Sequence, residues 1–153
     1  VPHARCCMHV HSIHATVLAT LADSHLPPID QNACTFYGRH VVDTNYGGLA
    51  FEEEGARCAT LMSNPKDKVM IMGNHGIMII GDTVAETFNR LYYFERACET
   101  YIRALQTGQP LRIIAHDIAT KTSQELADYP EQDERHLSEL KAILIDEGSN
   151  FDK

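Results

Sequence analysis

A chain of 153 residues with 21 acidic against 13 basic side chains, net charge −8, suits one domain with its own apolar core. That balance argues against nucleic acid or an anionic membrane surface as the main partner. Apolar residues make up 44% and charged residues 22%, ordinary for a globular protein, and no apolar run approaches the ~20 residues that span a membrane. The five cysteines, Cys6, Cys7, Cys34, Cys58 and Cys98, are an odd number without framework spacing, which predicts free thiols in a reducing, cytoplasmic setting.

Val1 is not an initiator methionine and the first strand is expected almost at once, so the sequence reads as the later part of a longer domain. Ala4 to Val10 reads as a short strand. Ser12 is a candidate N-cap for a helix from Ile13 to about Ala22, with Ile13, Val17, Leu18 and Leu21 as its apolar stripe. His25-Leu26-Pro27-Pro28 ends that helix. Gln31 to Tyr37 is ambiguous, and Val41-Val42 is a short strand candidate. Asp43 to Gly48 reads as a glycine-containing loop. Phe51 to Met62 then reads as a helix whose acidic start, Glu52-Glu53-Glu54, suits the helix dipole.

Val69-Met70-Ile71-Met72 is apolar on both faces, as a central strand requires. Gly73-Asn74-His75-Gly76 turns the chain into a second apolar strand, Ile77 to Ile80, which predicts a hairpin with His75 at its corner. Asp82 is expected to cap a long helix from about Thr83 to Thr107. The stripe of that helix is Val84, Phe88, Leu91, Glu95, Cys98, Ile102 and Leu105. A carboxylate in an apolar stripe must be paired, solvated or protonated. Glu95 is therefore either a structural ion-pair partner or an acceptor that orients an imidazole. Tyr92 and Tyr93 flank the stripe, as core residues or as a subunit contact. Residues 109–153 read as a helical extension: one helix within Ile114 to Asp128, then one opened by Pro130 and running from Glu131 to Glu147, with Leu137, Leu140, Ile143 and Leu144 at helical spacing. His116 and His136 are expected to face solvent.

The chemistry-bearing stretch is Met8-His9-Val10-His11. Side chains alternate along a strand, so His9 and His11 share a face with Cα atoms ~6–7 Å apart. Two imidazoles there, with His75 as a third, could converge on one metal ion that keeps an open position. They could equally be core histidines with satisfied ring nitrogens. Cys7 lies on the same strand face and is a weaker fourth candidate, with burial as a small apolar-behaving residue the plainer role.

Met8-His9-Val10-His11-Ser12 with Ala15-Thr16, then Gly73-Asn74-His75-Gly76, Gly81 and Glu86, then Tyr92 to Cys98, resemble the class II aldolase/adducin family. Tyr37 to Val42 with Tyr46-Gly47-Gly48 is similar to its bacterial, adducin-like branch. The likeness covers most of His3 to about Gly108. It implies an α/β fold over 1–153, a three-layer α/β/α sandwich around a mostly antiparallel sheet. It also implies a homotetramer with sites between subunits and a divalent metal on His9, His11 and His75: usually Zn2+, with Mn2+, Co2+ or Fe2+ as alternates. The implied activity is that of a metal-dependent lyase. It cleaves a small sugar or sugar phosphate by a reversible aldol reaction through a metal-stabilised enediolate.

The same family includes epimerases, dehydratases and the non-enzymatic adducin head, and a site of this kind can hold iron and activate oxygen. In the aldolases the acid/base Glu and the phosphate loops precede the His-x-His strand. The resemblance therefore places them upstream of Val1, leaves the catalytic residue of this chain unknown, and predicts little activity from these 153 residues alone. Where the fuculose-phosphate enzyme carries a catalytic Tyr past the double proline, this chain has Gln31 and Asn32.

Overall fold

Strict alternation of side chains along two apolar strands sets the architecture. In β3 (Val69–Met72) and β4 (Gly76–Gly81), Val69, Ile71, Ile77 and Ile79 point to one face of a sheet, and Met70, Met72, Met78 and Ile80 to the other. Both faces must then be covered, and helices cover both. The computed structural model describes residues 1–153 apart from 46, 47, 49, 50, 130, 152 and 153, and residues 51 and 52 by their backbone.

Four strands in the order β1-β4-β3-β2 make the sheet, with β1 at Cys6–Val10 and β2 at His40–Asp43. β1 and β3 each run antiparallel to β4, with His9 opposite Met78 and Val69 opposite Ile79, whereas β2 runs parallel to β3. The expected α/β fold with a mostly antiparallel sheet is present, and the one parallel pair makes that sheet mixed.

The larger core lies on the Val69/Ile71/Ile77/Ile79 face. It is built with Ala15, Leu18 and Ala19 of α1 (Ile13–Ala19), Ala33 of α2 (Gln31–Thr35), and Phe94, Ala97 and Cys98 of α4 (Val84–Gln106). The Phe36 and Phe94 rings meet edge to face with centroids 5.0 Å apart, a favoured aromatic geometry. On the opposite face Cys58 and Met62, from and just beyond α3 (Phe51–Leu61), pack on Met70, Met72 and Ile80. Two further helices, α5 (His116–Ala127) and α6 (Gln132–Asp146), pack on α2 and α4 respectively. Among the described residues no helix is long and apolar enough to cross a membrane.

Local expectations are corrected on three helices. α1 stops at Ala19, and its buried side is Ala15, Leu18 and Ala19, while Ile13 is 74% and Val17 38% exposed. Small residues let α1 approach α4 closely, and hydropathy patterning does not register smallness. The long helix is rotated likewise: Cys98 is buried as expected, but Val84 and Leu105 are exposed and Ala85, Thr87, Asn89, Phe94 and Ala97 face inward. Its N-cap is Thr83 rather than Asp82. The Thr83 hydroxyl accepts from the Glu86 N–H, and the Glu86 carboxylate accepts from the Asp82 N–H, close to a capping box read one residue later. α6 buries no residue, and Ile143 and Leu144 of its expected stripe are 51% and 40% exposed.

Candidate metal centre

His9 lies in edge strand β1, and β1 ends at Val10, so His11 stands just beyond the last paired residue. His75 occupies the corner between β3 and β4, where Asn74 takes φ 56°. That left-handed conformation is one Asn tolerates better than most residues. Three backbone hydrogen bonds pin the corner: Gly73 N–H to Asp43 O (2.7 Å), Asn74 N–H to Ala19 O (2.9 Å) and His75 N–H to Met72 O (3.0 Å). Two glycines make room for it. A Cβ on Gly73 would lie 2.8 Å from Asp43 O, and one on Gly76 would lie 2.6 Å from Val10 O and 2.7 Å from the His11 ring.

The three imidazoles converge. Ring centroids are 4.9 Å apart for His9–His11 and 4.8 Å for each ring to His75, with donor atoms all within 4.8 Å of one another. His9 Nδ1–H donates to Ile77 O at 2.9 Å, which fixes the tautomer and leaves the Nε2 lone pair to accept from His11 Nε2–H, 3.1 Å away. Carbonyl support of this kind is what a metal-binding imidazole commonly has on its other nitrogen. Burial, with the neighbouring His9 and His11, holds His75 below the usual imidazole range, opposed by the Glu54 carboxylate. The ring therefore keeps its lone pair at neutral pH. Nitrogens on a tetrahedral zinc are about 3.3 Å apart, from Zn–N bonds near 2.05 Å, and the His9 and His11 Nε2 atoms, 3.1 Å apart, lie close to that spacing. His9 and His11 are exposed and His75 half-buried, so the group opens outward. Cys7 does not join it.

Glu95 does something else. Its carboxylate accepts from Ser12 Oγ (2.7 Å), His14 N–H (2.8 Å), Ala15 N–H (2.9 Å) and His14 Nδ1–H (2.9 Å). Ser12 is the N-cap residue, but its hydroxyl makes no capping bond. The capping acceptor comes from the neighbouring helix. Burial pushes the Glu95 carboxyl up, and these bonds outweigh it, so its pKa lies below the usual value. Of the two expected roles Glu95 takes the structural one: it pairs with His14, which is not one of the three converging histidines, and it closes the start of α1.

His136 is not a solvent histidine. Its ring packs 4.6 Å from that of Tyr92 and bonds Asn89 Oδ1 at 2.7 Å. His116 is exposed, with its Nδ1 2.9 Å from the Tyr37 hydroxyl. His40 was not singled out by the sequence reasoning. It donates from Nδ1 to Phe36 O at 2.9 Å and accepts at Nε2 from Leu26 N–H at 3.3 Å. Burial holds it below the usual imidazole range. A Pro-Pro turn facing a strand start is a poor sequence signal for such a tie.

The Tyr46-Gly47-Gly48 segment of the resemblance lies mostly outside the described residues. Residues 1–102 match the family described as Class II Aldolase and Adducin N-terminal domain. The chain is 30% identical over 133 residues to the Meiotically up-regulated gene 14 protein of Schizosaccharomyces pombe, covering 84% of this chain and 50% of that protein. It is 26% identical over 129 residues to Decarboxylase NovR of Streptomyces niveus, covering 84% and 46%, so it spans about half the length of these relatives. The crystal structure of an aldolase II superfamily protein from Pseudomonas syringae has a TM-score of 0.80 at 25% identity, covering 94% of this chain and 56% of that one. The chain belongs to the class II aldolase/adducin family.

Proposed function

We propose that the protein is a metal-dependent lyase of the class II aldolase type, in which His9, His11 and His75 hold a divalent cation, zinc being the expected ion. Its substrate is a small carbonyl compound, a sugar or sugar phosphate, cleaved reversibly beside the carbonyl by a cytoplasmic homotetramer. The observation that carries this reading is the convergence of three imidazole donors within 4.8 Å, from an edge strand and a hairpin corner distant in sequence.

When bound, a divalent cation supplies Lewis-acid stabilisation of the negative charge that develops on substrate oxygen as a C–C bond breaks. The chain's own residues prepare that site. The Ile77 carbonyl holds the His9 ring so that Nε2 presents its lone pair. His9, His11 and His75 would hold such a cation without adding negative charge to it. The pinned Gly73-to-Gly76 corner fixes where His75 stands, and the outward opening leaves room for a carbonyl and an adjacent hydroxyl.

The adducin half of the family supports a second reading, a binding or assembly module in which the histidines persist without turnover. The range of chemistry within the family supports a third, in which the same donors serve a different reaction: an epimerase, a dehydratase or an iron-dependent oxygenase. Elemental analysis of gently purified protein separates the first two, and assays of aldol cleavage on short ketose phosphates, with and without chelator, separate the first from the third. Wild-type protein and His116→Ala should carry near one equivalent of metal and His75→Ala little. Equal metal in all three removes His75 from the site, and metal-free wild type favours the module.

A further inference from the structure

The end of the sheet opposite the histidines carries a different concentration of charge. A cavity of about 270 Å³ opens there between α2, α4, α5 and α6. Three cations from three parts of the chain line it: Arg39 just before β2, Lys68 just before β3 and Arg90 on α4, with Phe36 and Tyr93 as aromatic wall and Asn89 as a polar neighbour. Lys68 and His75 bracket β3, which at ~3.3 Å per residue puts the two ends of that strand roughly 10 Å apart.

Of these three cations only Arg90 is ion-paired among the described residues. Arg90 is satisfied, since it pairs with Glu86 and donates to Ile80 O at 2.7 Å. Arg39 spends only Nε, on Ser123 Oγ at 2.9 Å, and its guanidinium fork has no carboxylate within ion-pair distance among the described residues. Lys68 likewise has no ion pair among them. The other acidic group in the lining, Asp133, accepts from Asn89 Nδ2, and burial pushes its carboxyl upward. Burial lowers both Arg39 and Lys68 and Arg90 lowers each further, opposed in part by Asp128 at Arg39 and by Glu86 and Asp82 at Lys68. Half-buried cations that repel one another across a cavity are stabilised by an anion between them, and a guanidinium fork beside a lysine matches the oxygens of phosphate or carboxylate.

We propose that this cavity is a binding site for a small organic oxyanion, a phosphate monoester or a carboxylate with a flat apolar body. The charged group would seat between Arg39 and Lys68, and the body would rest against Phe36 and Tyr93. The proposal is independent of the metal reading, because none of these residues belongs to the histidine group.

Calorimetric titration of the protein with phenyl phosphate, and separately with benzoate, tests it in the presence of a chelator. One site per chain is expected for at least one probe, and the stronger of the two identifies the oxyanion class. Lys68→Met should weaken binding at least tenfold and Lys68→Arg by much less, both with unchanged circular dichroism. His75→Ala should bind as wild type does. Absence of binding by wild type for both probes overturns the proposal. So does a site abolished by His75→Ala and kept by Lys68→Met, which would place the anion at the histidines. Should Lys68→Met fail to fold, Arg39→Gln replaces it with the same tenfold criterion.

Discussion

Replacing Glu95 by Gln isolates one carboxylate that reaches from α4 to the start of α1. Both oxygens are in use: Oε1 accepts the N–H and Nδ1–H of His14, and Oε2 accepts Ser12 Oγ–H and the Ala15 N–H. Gln keeps one acceptor and turns the other position into a donor facing donors. If the amide nitrogen replaces Oε2, the Ser12 hydroxyl can rotate and accept, but the N–H of Ala15, a fully buried residue, is left without a partner. An unsatisfied buried donor costs about 1–3 kcal/mol, and the loss of charge weakens the surviving bonds by about 1 kcal/mol more. A total near 3 kcal/mol corresponds, for a domain of this size, to about 6–12 °C in Tm.

The pH dependence carries the same signature. Because the folded-state pKa of Glu95 lies below its ordinary value of 4.5, the unfolded state binds the proton first as the solution is acidified. The stabilisation is complete above pH 4.5 and is lost as pH falls through the folded value. The gap in Tm between wild type and Glu95→Gln should therefore narrow below pH 4.5. Thermal melts of metal-free protein across pH 3–7, with elemental analysis of both proteins, measure it. A Tm change under about 2 °C, or lost metal with an unchanged Tm, would refute the capping argument.

Further outcomes test other parts of the molecule. Gly76→Ala forces a methyl into Val10 O and the His11 ring; overpacking of this kind costs about 1–3 kcal/mol, so chemical denaturation should show that loss and elemental analysis a fall in bound metal. His40, held below its ordinary value of 6.5 chiefly by burial, makes stability decline as pH drops below 6.5, because the unfolded state binds that proton first. His40→Asn, which keeps a donor toward Phe36 O, should flatten the part of the Tm–pH curve between pH 5 and 7 that His40 contributes, and an unaltered slope would assign it to other histidines.

How much was legible depended on which signal each element carried. β3 and β4 were plain because unbroken Val/Ile/Met runs on either side of Gly73-Asn74-His75-Gly76 admit few other readings, and the corner at His75 followed from them. The two-residue spacing of His9 and His11 survived although His11 leaves the strand, because the side-chain direction carries over one residue past the last pair. The helix faces were harder. On α1 and α4 the inward sides are rich in Ala, Thr, Asn and Cys, and small or polar residues that allow close helix contact do not stand out in a hydropathy pattern. α2 is only five residues long, too short for periodicity, although Asp30 accepts from the Ala33 N–H in an ordinary cap. His136 misled because its partners, Tyr92 and Asn89, lie more than forty residues away. The cations of the far cavity were invisible for the same reason: Arg39, Lys68 and Arg90 look like unrelated surface charges until the sheet gathers them.

β1 borders the sheet and is joined to it through β4 alone. A slide of one residue along that seam would swing His9 toward the Leu18 and Phe94 side and expose Val10, since alternate side chains exchange faces. A cation clasped by His9, His11 and His75 would bolt the outermost ribbon to the corner that joins the next two strands and forbid that slide. Demetallation would then loosen the border first, and hydrogen exchange of the Cys6–Val10 amides should rise before that of β3.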